Sequence, residues 1–228
     1  HFDLESVASE HGVVLERLNA DGSGSFADRA ATASDNFATV PRGAGELAAF
    51  LYTSGTTGRS KGAMLTQNNL LSNAETLISE WRFDASDVLL HALPIFHTHG
   101  LFVATNIILL AKASMIFLPK FSTDMVIDAL PNASSMMGVP TFYTRLLDDP
   151  RLTSGLTRHM RLFISGSAPL LAETHVQFES RTGHRILERY GMTETNMNTS
   201  NPYHGERRAG TVGMALPGVD MKITNPTN

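Results

Sequence analysis

Short apolar runs alternate with amphipathic stretches along most of this 228-residue chain. Runs of strand length occupy 47–52, which reads as a buried strand, and then 88–93, 114–118, 135–139 and 162–165. Apolar positions recur at helical spacing from the N-cap Thr66 to about Trp81, and again over 99–111, 123–130, 140–148 and 170–182. This order predicts an α/β fold with a mostly parallel sheet flanked by helices, whose ligands bind where loops gather at the strand ends.

The first 45 residues have a different pattern. Residues 19–45 are rich in Gly, Ala, Ser, Thr and Asp, which predicts a surface connection with one short helix. The chain does not begin with Met or with a signal-peptide pattern, which suggests an internal start. We therefore expect 1–45 to be part of an N-terminal subdomain with its connection, and 46–228 to form a ligand-binding core.

Composition narrows the class of partner. The net charge of −4 and the pI near 6.1 show no basic excess for nucleic acid or an anionic membrane, so small molecules are the expected ligands. The longest apolar stretch, 101–118, is interrupted by polar residues and is expected to be buried core rather than a membrane span. The chain has no cysteine, so a disulfide, a thiol nucleophile and a thiolate metal ligand from the protein are excluded. A reducing cytoplasm is the expected location.

Residues 52–62 read Tyr-Thr-Ser-Gly-Thr-Thr-Gly-Arg-Ser-Lys-Gly. Glycines allow close backbone approach, hydroxyls donate to phosphate oxygens, and Lys61 supplies a compact charge, so the string predicts a polyphosphate-binding loop. Lys61 does not stand directly after the second glycine of a Walker A pattern, which argues against a P-loop NTPase. A flexible turn without a ligand is the alternative.

Three later segments strengthen the phosphate-loop interpretation. They read Pro-Ile-Phe-His-Thr-His-Gly at 94–100, Ser-Gly-Ser-Ala-Pro at 165–169 and Tyr-Gly-Met-Thr-Glu-Thr at 190–195. With the string at 52–62, in this order, they resemble the motifs of the adenylate-forming superfamily of acyl-CoA synthetases, adenylation domains and luciferases. The resemblance implies the large N-terminal-domain portion of that fold, truncated at both ends, with the mobile C-terminal domain absent.

The resemblance also implies a nucleotide site. Tyr190 would lie against adenine, Thr193 near the α-phosphate and Glu194 on Mg²⁺, which prefers oxygen ligands; taken alone, Tyr190 would be a packing residue and Glu194 a surface acid. The residues implied to bind ATP are Thr53, Ser54, Gly55, Thr56, Thr57, Gly58, Lys61, Gly166, Ser167, Ala168, Glu188, Arg189, Tyr190, Gly191, Met192 and Thr193.

Three histidines, His91, His97 and His99, lie within nine residues. A His-x-His pair on a strand would suit zinc, and a zinc-dependent hydrolase is one alternative function. Against it, no Asp, Glu or Cys lies between 88 and 123. The superfamily resemblance instead places His97 at the acyl and CoA tunnel, with a packing role as the rival interpretation.

The arginines of the chain indicate which acid is the substrate. A second carboxylate buried in the acyl pocket needs a cation, and the guanidinium of arginine can bind both of its oxygens. Residues 139–147 and 187–200 resemble malonyl-CoA synthetases. By that resemblance Arg145, Ser167 and Arg189 would hold the distal carboxylate of malonate, and Met192 would line the same pocket.

The implied reaction has two steps: malonate and ATP give malonyl-AMP and pyrophosphate, and CoA then gives malonyl-CoA and AMP. The implied catalytic residues are Lys61, Thr193, Glu194 and His97, acting by positioning and charge stabilisation. Other short or medium carboxylates, and a nucleotide-binding module without turnover, are the alternatives. The family's ribose-binding aspartate and catalytic lysine would follow residue 228, so the isolated chain is expected to bind ATP or AMP weakly without completing the reaction.

Overall fold

The computed structural model describes residues 4–53 and 59–225, and the chain divides into two compact units, His1–Pro41 and Arg42–Asn228. The first unit holds helices α1 (Leu4–Glu10) and α2 (Ser25–Thr32). An exposed ion pair joins Arg29 to Glu16 at 2.9 Å. Helix α2 confirms the single short helix predicted within 19–45, whereas α1 was not predicted.

The second unit opens with an antiparallel hairpin. Strand β1 (Leu47–Thr53) pairs with β2 (Lys61–Thr66), and Thr53 lies opposite Lys61. The prediction of a buried strand at 47–52 was wrong in its burial, because no residue of β1 is buried and Tyr52 is 73% exposed. Strand β2 was not predicted, since its first two residues, Lys61 and Gly62, belong to the polar phosphate string.

Helix α3 (Gln67–Trp81) follows directly from the hairpin. Its N-cap is Thr66, as predicted: the Thr66 hydroxyl accepts from the Asn69 N–H at 3.2 Å, and the Asn69 side chain accepts from the Thr66 N–H at 2.9 Å. Such reciprocal bonds satisfy two backbone donors that a helix start leaves free.

Seven strands form the main sheet in the order β4-β3-β5-β6-β7-β8-β9. The first five in space pair in parallel, and β8 and β9 add an antiparallel edge, which confirms the predicted mostly parallel sheet. The strands are β3 (Val88–His91), β4 (Ser114–Phe117), β5 (Ser135–Gly138), β6 (Leu162–Ser165), β7 (Leu187–Met192), β8 (Asn196–Ser200) and β9 (Met214–Ala215).

Helices cover both faces of the sheet. They are α4 (Thr105–Leu110), preceded by a π-helical turn (His99–Ala104), α5 (Thr123–Ala129), followed by a 3₁₀ turn (Leu130–Asn132), α6 (Pro140–Leu147), α7 (Ser154–Thr157) and α8 (Ala172–Thr182). Successive side chains of a strand point to opposite faces of the sheet. Leu89 therefore packs in the core that contains α3 and α4, and Leu90 packs in the core that contains α5, α6 and α8. The result is a three-layer α/β/α unit.

A buried ion pair lies at the end of the sheet where the parallel strands begin. The Arg161 Nε and Nη2 atoms donate to the two carboxylate oxygens of Asp87, each at 2.6 Å, and the Ser134 hydroxyl donates to Oδ1 at 2.7 Å. Burial would raise the pKa of Asp87, but these hydrogen bonds outweigh it and hold the pKa below its ordinary value. The pair therefore connects β3 to β6 at the end of the sheet remote from the loops described next.

No helix among the described residues has both the length and the apolar character needed to cross a membrane.

Candidate active site

Two cavities lie beside the carboxyl ends of β6 and β7, where the predicted motifs meet. The large cavity, about 460 Å³, is lined by Thr53, Lys61, His97, Thr98, His99, Ser167, Arg189, Gly191, Met192, Thr193, Glu194 and Met197. The small cavity, about 290 Å³, is lined by Ser165, Ser167, Ala168, Pro169, Leu170, Glu188, Arg189, Tyr190, Gly191, Gly210 and Val212. Three residues line both, so the cavities are neighbours that share one wall.

Arg189 is the charged member of the shared wall. It extends from β7, is only 3% exposed, and its Nε and Nη2 atoms have no hydrogen-bond partner among the described residues. Burial lowers its pKa to about 10, so the guanidinium is still charged at neutral pH. A buried cation without a partner is unfavourable unless an anion arrives.

Gly166 makes room for this cation. A Cβ atom at Gly166 would lie 2.3 Å from the Arg189 Cζ atom, so any larger residue would displace the guanidinium. Gly166 of the 165–169 motif is therefore needed for the space that it leaves to the Arg189 side chain, and not only for the flexibility of a turn.

His99 and Ser167 form a second polar element of the large cavity. The Ser167 hydroxyl and His99 Nδ1 lie 3.2 Å apart, and His99 is 2% exposed. Burial, and then the charge of Arg189, hold the pKa of His99 well below its ordinary value, so the ring is neutral. Ser167 has φ of 69°, a left-handed conformation that a non-glycine residue rarely adopts without support.

The other two histidines have separate roles. His97 is exposed, lines the large cavity, and its Nδ1 accepts from the His99 N–H at 3.4 Å. His91 is buried in β3 and its Nε2 is 3.0 Å from the Gly100 carbonyl oxygen. In the described part of the chain no three His, Cys, Asp or Glu side chains are arranged to hold a metal, which leaves the zinc-hydrolase alternative without structural support.

Residues of the hairpin face the β7–β8 turn across the large cavity. Thr53 and Lys61 line it from the hairpin, and Thr193 and Glu194 line it from the turn. Glu194 is exposed and is the one carboxylate among the described lining residues. One carboxylate suits Mg²⁺, which retains waters and takes further oxygens from bound phosphates. The predicted residues Ser54, Gly55, Thr56, Thr57 and Gly58 lie outside the described residues.

The small cavity has mainly apolar walls. Tyr190 is half exposed and stands opposite the loop that contributes Ser167 and Ala168. Glu188 is buried; its Oε1 lies 3.2 Å from His175 Nδ1 and accepts from the Gly210 N–H at 3.3 Å. An aromatic face and apolar walls suit a flat heterocycle.

Arg145 lies apart from these residues. Helix α6 turns Tyr143 and Leu146 into the core, so Arg145 is exposed on the other face, with its guanidinium carbon 4.8 Å from the centre of the Phe121 ring. It lines neither cavity. Of the residues predicted to contact the acid, the structure brings together His97, Ser167, Arg189 and Met192.

From the sequence, His99 was assigned no contact with the nucleotide, the acid or CoA. The His-x-His spacing drew attention to it only as a metal pair, because nothing in the local sequence shows that its ring meets Ser167, 68 positions later.

The family model of the AMP-binding enzyme matches residues 3–228. The chain is 42% identical over 214 residues to a malonate–CoA ligase of Arabidopsis thaliana, covering 85% of this chain and 35% of that protein. Among solved structures, ATP-bound MatB from Rhodopseudomonas palustris is 63% identical with a TM-score of 0.95, covering 98% of this chain and 44% of that one. A malonyl-CoA ligase ternary product complex with methylmalonyl-CoA and AMP is 41% identical with a TM-score of 0.75, covering 79% and 41%. The chain thus spans less than half the length of these relatives, and it belongs to the AMP-binding enzyme family.

Proposed function

We propose that the full-length protein containing this chain is an acid–thiol ligase that forms malonyl-CoA from malonate, ATP and CoA through malonyl-AMP. The observation that supports it most is the buried Arg189 between two cavities, whose Nε and Nη2 atoms have no partner among the described residues, because a cation in that state needs an anionic ligand. The relatives named above support the same acid. Residues 46–228 would form the binding core and 1–45 part of a neighbouring subdomain.

The small cavity would take adenine, and the large cavity the phosphates and the acid. Tyr190 offers a ring for stacking, and Ala168 and Val212 supply apolar walls. Lys61 and Thr193 would contact phosphate oxygens across the large cavity. This arrangement puts the reacting phosphorus near the shared wall, between the two cavities.

Arg189 would pair with the distal carboxylate of malonate. The two donor atoms that are without a partner among the described residues match the two oxygens of a carboxylate, and Ser167 lies beside Arg189 on the same wall. A monocarboxylate of similar length would leave the charge unpaired, so the site would favour a diacid. Arg145, which lies outside both cavities, stays a prediction from resemblance.

Glu194 would provide a protein oxygen to Mg²⁺ bound with ATP. When bound, the metal ion offsets negative charge on the polyphosphate and stabilises the pyrophosphate as it leaves. The exposed position of Glu194 at the rim suits a ligand that arrives with the nucleotide.

The chemistry requires no protein nucleophile. The near carboxylate of malonate attacks the α-phosphorus and displaces pyrophosphate, and the CoA thiol then attacks the acyl carbonyl and displaces AMP. His97 stands exposed on the wall of the large cavity, where it would contact the incoming thiol. The chain's contribution is to orient the acid and to stabilise charge.

Pyrophosphate release by the full-length protein, measured with malonate, methylmalonate and butyrate, tests the proposal. We expect kcat/KM for malonate to exceed that for butyrate by roughly 10²-fold or more, because butyrate would leave the buried guanidinium unpaired, at a cost of about 3 kcal/mol. Equal or faster use of butyrate would contradict the assignment of malonate. Absence of pyrophosphate release with every acid would contradict ligase activity itself.

A further inference from the structure

One wall of the small cavity is a short irregular segment, residues 210–212, called here the strap. Gly210 and Val212 line the cavity from it. The strap forms neither helix nor strand, so no backbone ladder holds it in place. Its position depends on a local turn, in which the Thr211 N–H and hydroxyl donate to the Arg208 carbonyl at 3.2 and 2.9 Å, and on bonds from other parts of the unit.

Side chains from β7 and the end of β8 supply those bonds, one to each strap residue. The Glu188 carboxylate accepts from the Gly210 N–H at 3.3 Å. The Thr199 hydroxyl donates to the Val212 carbonyl at 2.8 Å. Between them, the Asn201 Nδ2 atom donates to the Thr211 carbonyl at 2.6 Å.

Asn201 also binds the opposite wall. Its Nδ2 and its backbone N–H both donate to the Glu188 carbonyl, at 3.1 and 3.0 Å, and the residue is only 4% exposed. Since Glu188 and the next three residues of β7 line the small cavity, a single buried amide joins the two walls. The distance between the walls is thereby fixed on the protein side, before any ligand binds.

Gly213, the residue directly after the strap, has no room to shift toward β8. It has φ of 78°, and a Cβ atom there would lie 2.0 Å from the Ser200 carbonyl oxygen. This close approach, independent of the Asn201 hydrogen bonds, shows that the chain leaving the strap packs directly against the end of β8, next to Asn201.

We infer that Asn201 is a positioning residue that sets the width of the small cavity and thereby its preference for one nucleotide base. The inference rests on the proposed binding of adenine in that cavity. Without the amide, the Thr211 carbonyl loses its bond to Asn201 and the middle of the strap is held less tightly, so a larger or differently substituted base is excluded less strictly. Asn201 does not line the cavity and would act through the strap.

The test uses Asn201→Ala and Asn201→Asp in the full-length protein; the second keeps the size of the side chain and removes its donors. We expect the Kd for AMP to rise about tenfold, equivalent to about 1.4 kcal/mol. The ratio of the Kd for GMP to the Kd for AMP should fall by a similar factor. KM for the acid should change by less than about twofold, because the acid binds in the large cavity. Calorimetry with each nucleotide and steady-state kinetics give these values.

Asn73→Ala is the matched control. Asn73, on helix α3, makes a comparable pair of hydrogen bonds to the backbone of Met197 in β8, at 2.9 and 3.2 Å, and these bonds lie away from the strap. It should lower stability while leaving the AMP-to-GMP ratio unchanged. Thr199→Val keeps the shape of the side chain and removes its one hydrogen bond to the strap. It should shift the AMP-to-GMP ratio in the same direction as the Asn201 variants, but by less.

The outcomes separate the inference from the proposed function. If the Asn201 variants lower only the melting temperature, or if Asn73→Ala changes the ratio equally, Asn201 has no specific role in base selection. If the unmodified protein binds AMP and GMP equally, the placement of adenine in the small cavity is wrong, whatever the variants show.

Discussion

Replacing Arg189 by methionine should raise thermal stability and abolish selective use of malonate. Methionine has a similar length and no charge, so it removes the unpartnered cation without leaving a large void. In the free protein Arg189 is 3% exposed and two of its donor atoms are unpaired among the described residues, so its burial is a cost to folding. The site is built for an anion, and stability is lower until one binds.

The structure sets the scale of both effects. Replacing buried charges by apolar residues of similar volume often stabilises by about 1–4 kcal/mol; a gain of about 1–2 kcal/mol corresponds to a rise in Tm of about 2–8 °C for a domain of this size. Two hydrogen bonds to a charged group contribute about 3–4 kcal/mol together. Their loss should lower kcat/KM for malonate by roughly 10²–10³-fold.

Thermal unfolding and pyrophosphate release measure the two effects on the same preparation. Butyrate is the reference acid, because it has no distal carboxylate, and its use should be retained or improved. Arg207→Met is the matched control: this half-buried guanidinium donates to three backbone carbonyls, at 3.1, 2.7 and 2.7 Å, so its loss should lower Tm and leave the malonate-to-butyrate ratio unchanged.

A fall in Tm for Arg189→Met, with equal losses of malonate and butyrate activity, would refute the reasoning. The guanidinium would then be structural, and the acid would be recognised elsewhere.

Three further predictions concern other residues. Arg145→Leu should lower malonate use by less than Arg189→Met does, because Arg145 is exposed and lines neither cavity; an equal or larger loss in the pyrophosphate assay would place it on the acid. Glu194→Gln should raise the Mg²⁺ concentration needed for half-maximal activity several-fold with little change in Tm, and an unchanged Mg²⁺ dependence would exclude it as a ligand. Asp87→Asn should destabilise by about 3 kcal/mol, since it leaves the part-buried Arg161 without its carboxylate. The folded pKa of Asp87 lies below the unfolded value, near 3.8, so the difference in unfolding free energy between the two proteins should be complete above that value and shrink as pH falls through the folded pKa. A gap that stays constant down to pH 2 would contradict the last prediction.

Local signals were enough for most of the α/β order. The periodicity placed helix α3 and strands β3 to β6 within a few residues of their observed bounds, and the cap at Thr66 was read from one side chain and its neighbours. These features depend on spacing and on groups within one turn of each other, so the sequence carries them directly. Strands β7 and β8 were not predicted, because several of their positions hold polar side chains that line the site or its surroundings and interrupt the apolar signal. Strand β2 was not predicted either, because its apolar run is only three residues long, 63–65.

The motifs also suggested the chemistry, since their residue types suit phosphate, a base and a metal ion in any arrangement. Only the tertiary structure decided which side chains meet. Parallel pairing brings the ends of β6 and β7 together, so Gly166 lies against the Arg189 guanidinium and Ser167 reaches His99 across 68 residues. The helical turn of α6 directs Arg145 outward instead. Burial and side-chain direction arise from the packing of the whole unit, and these determine that Arg189, rather than Arg145, is buried with donor atoms that no described residue satisfies.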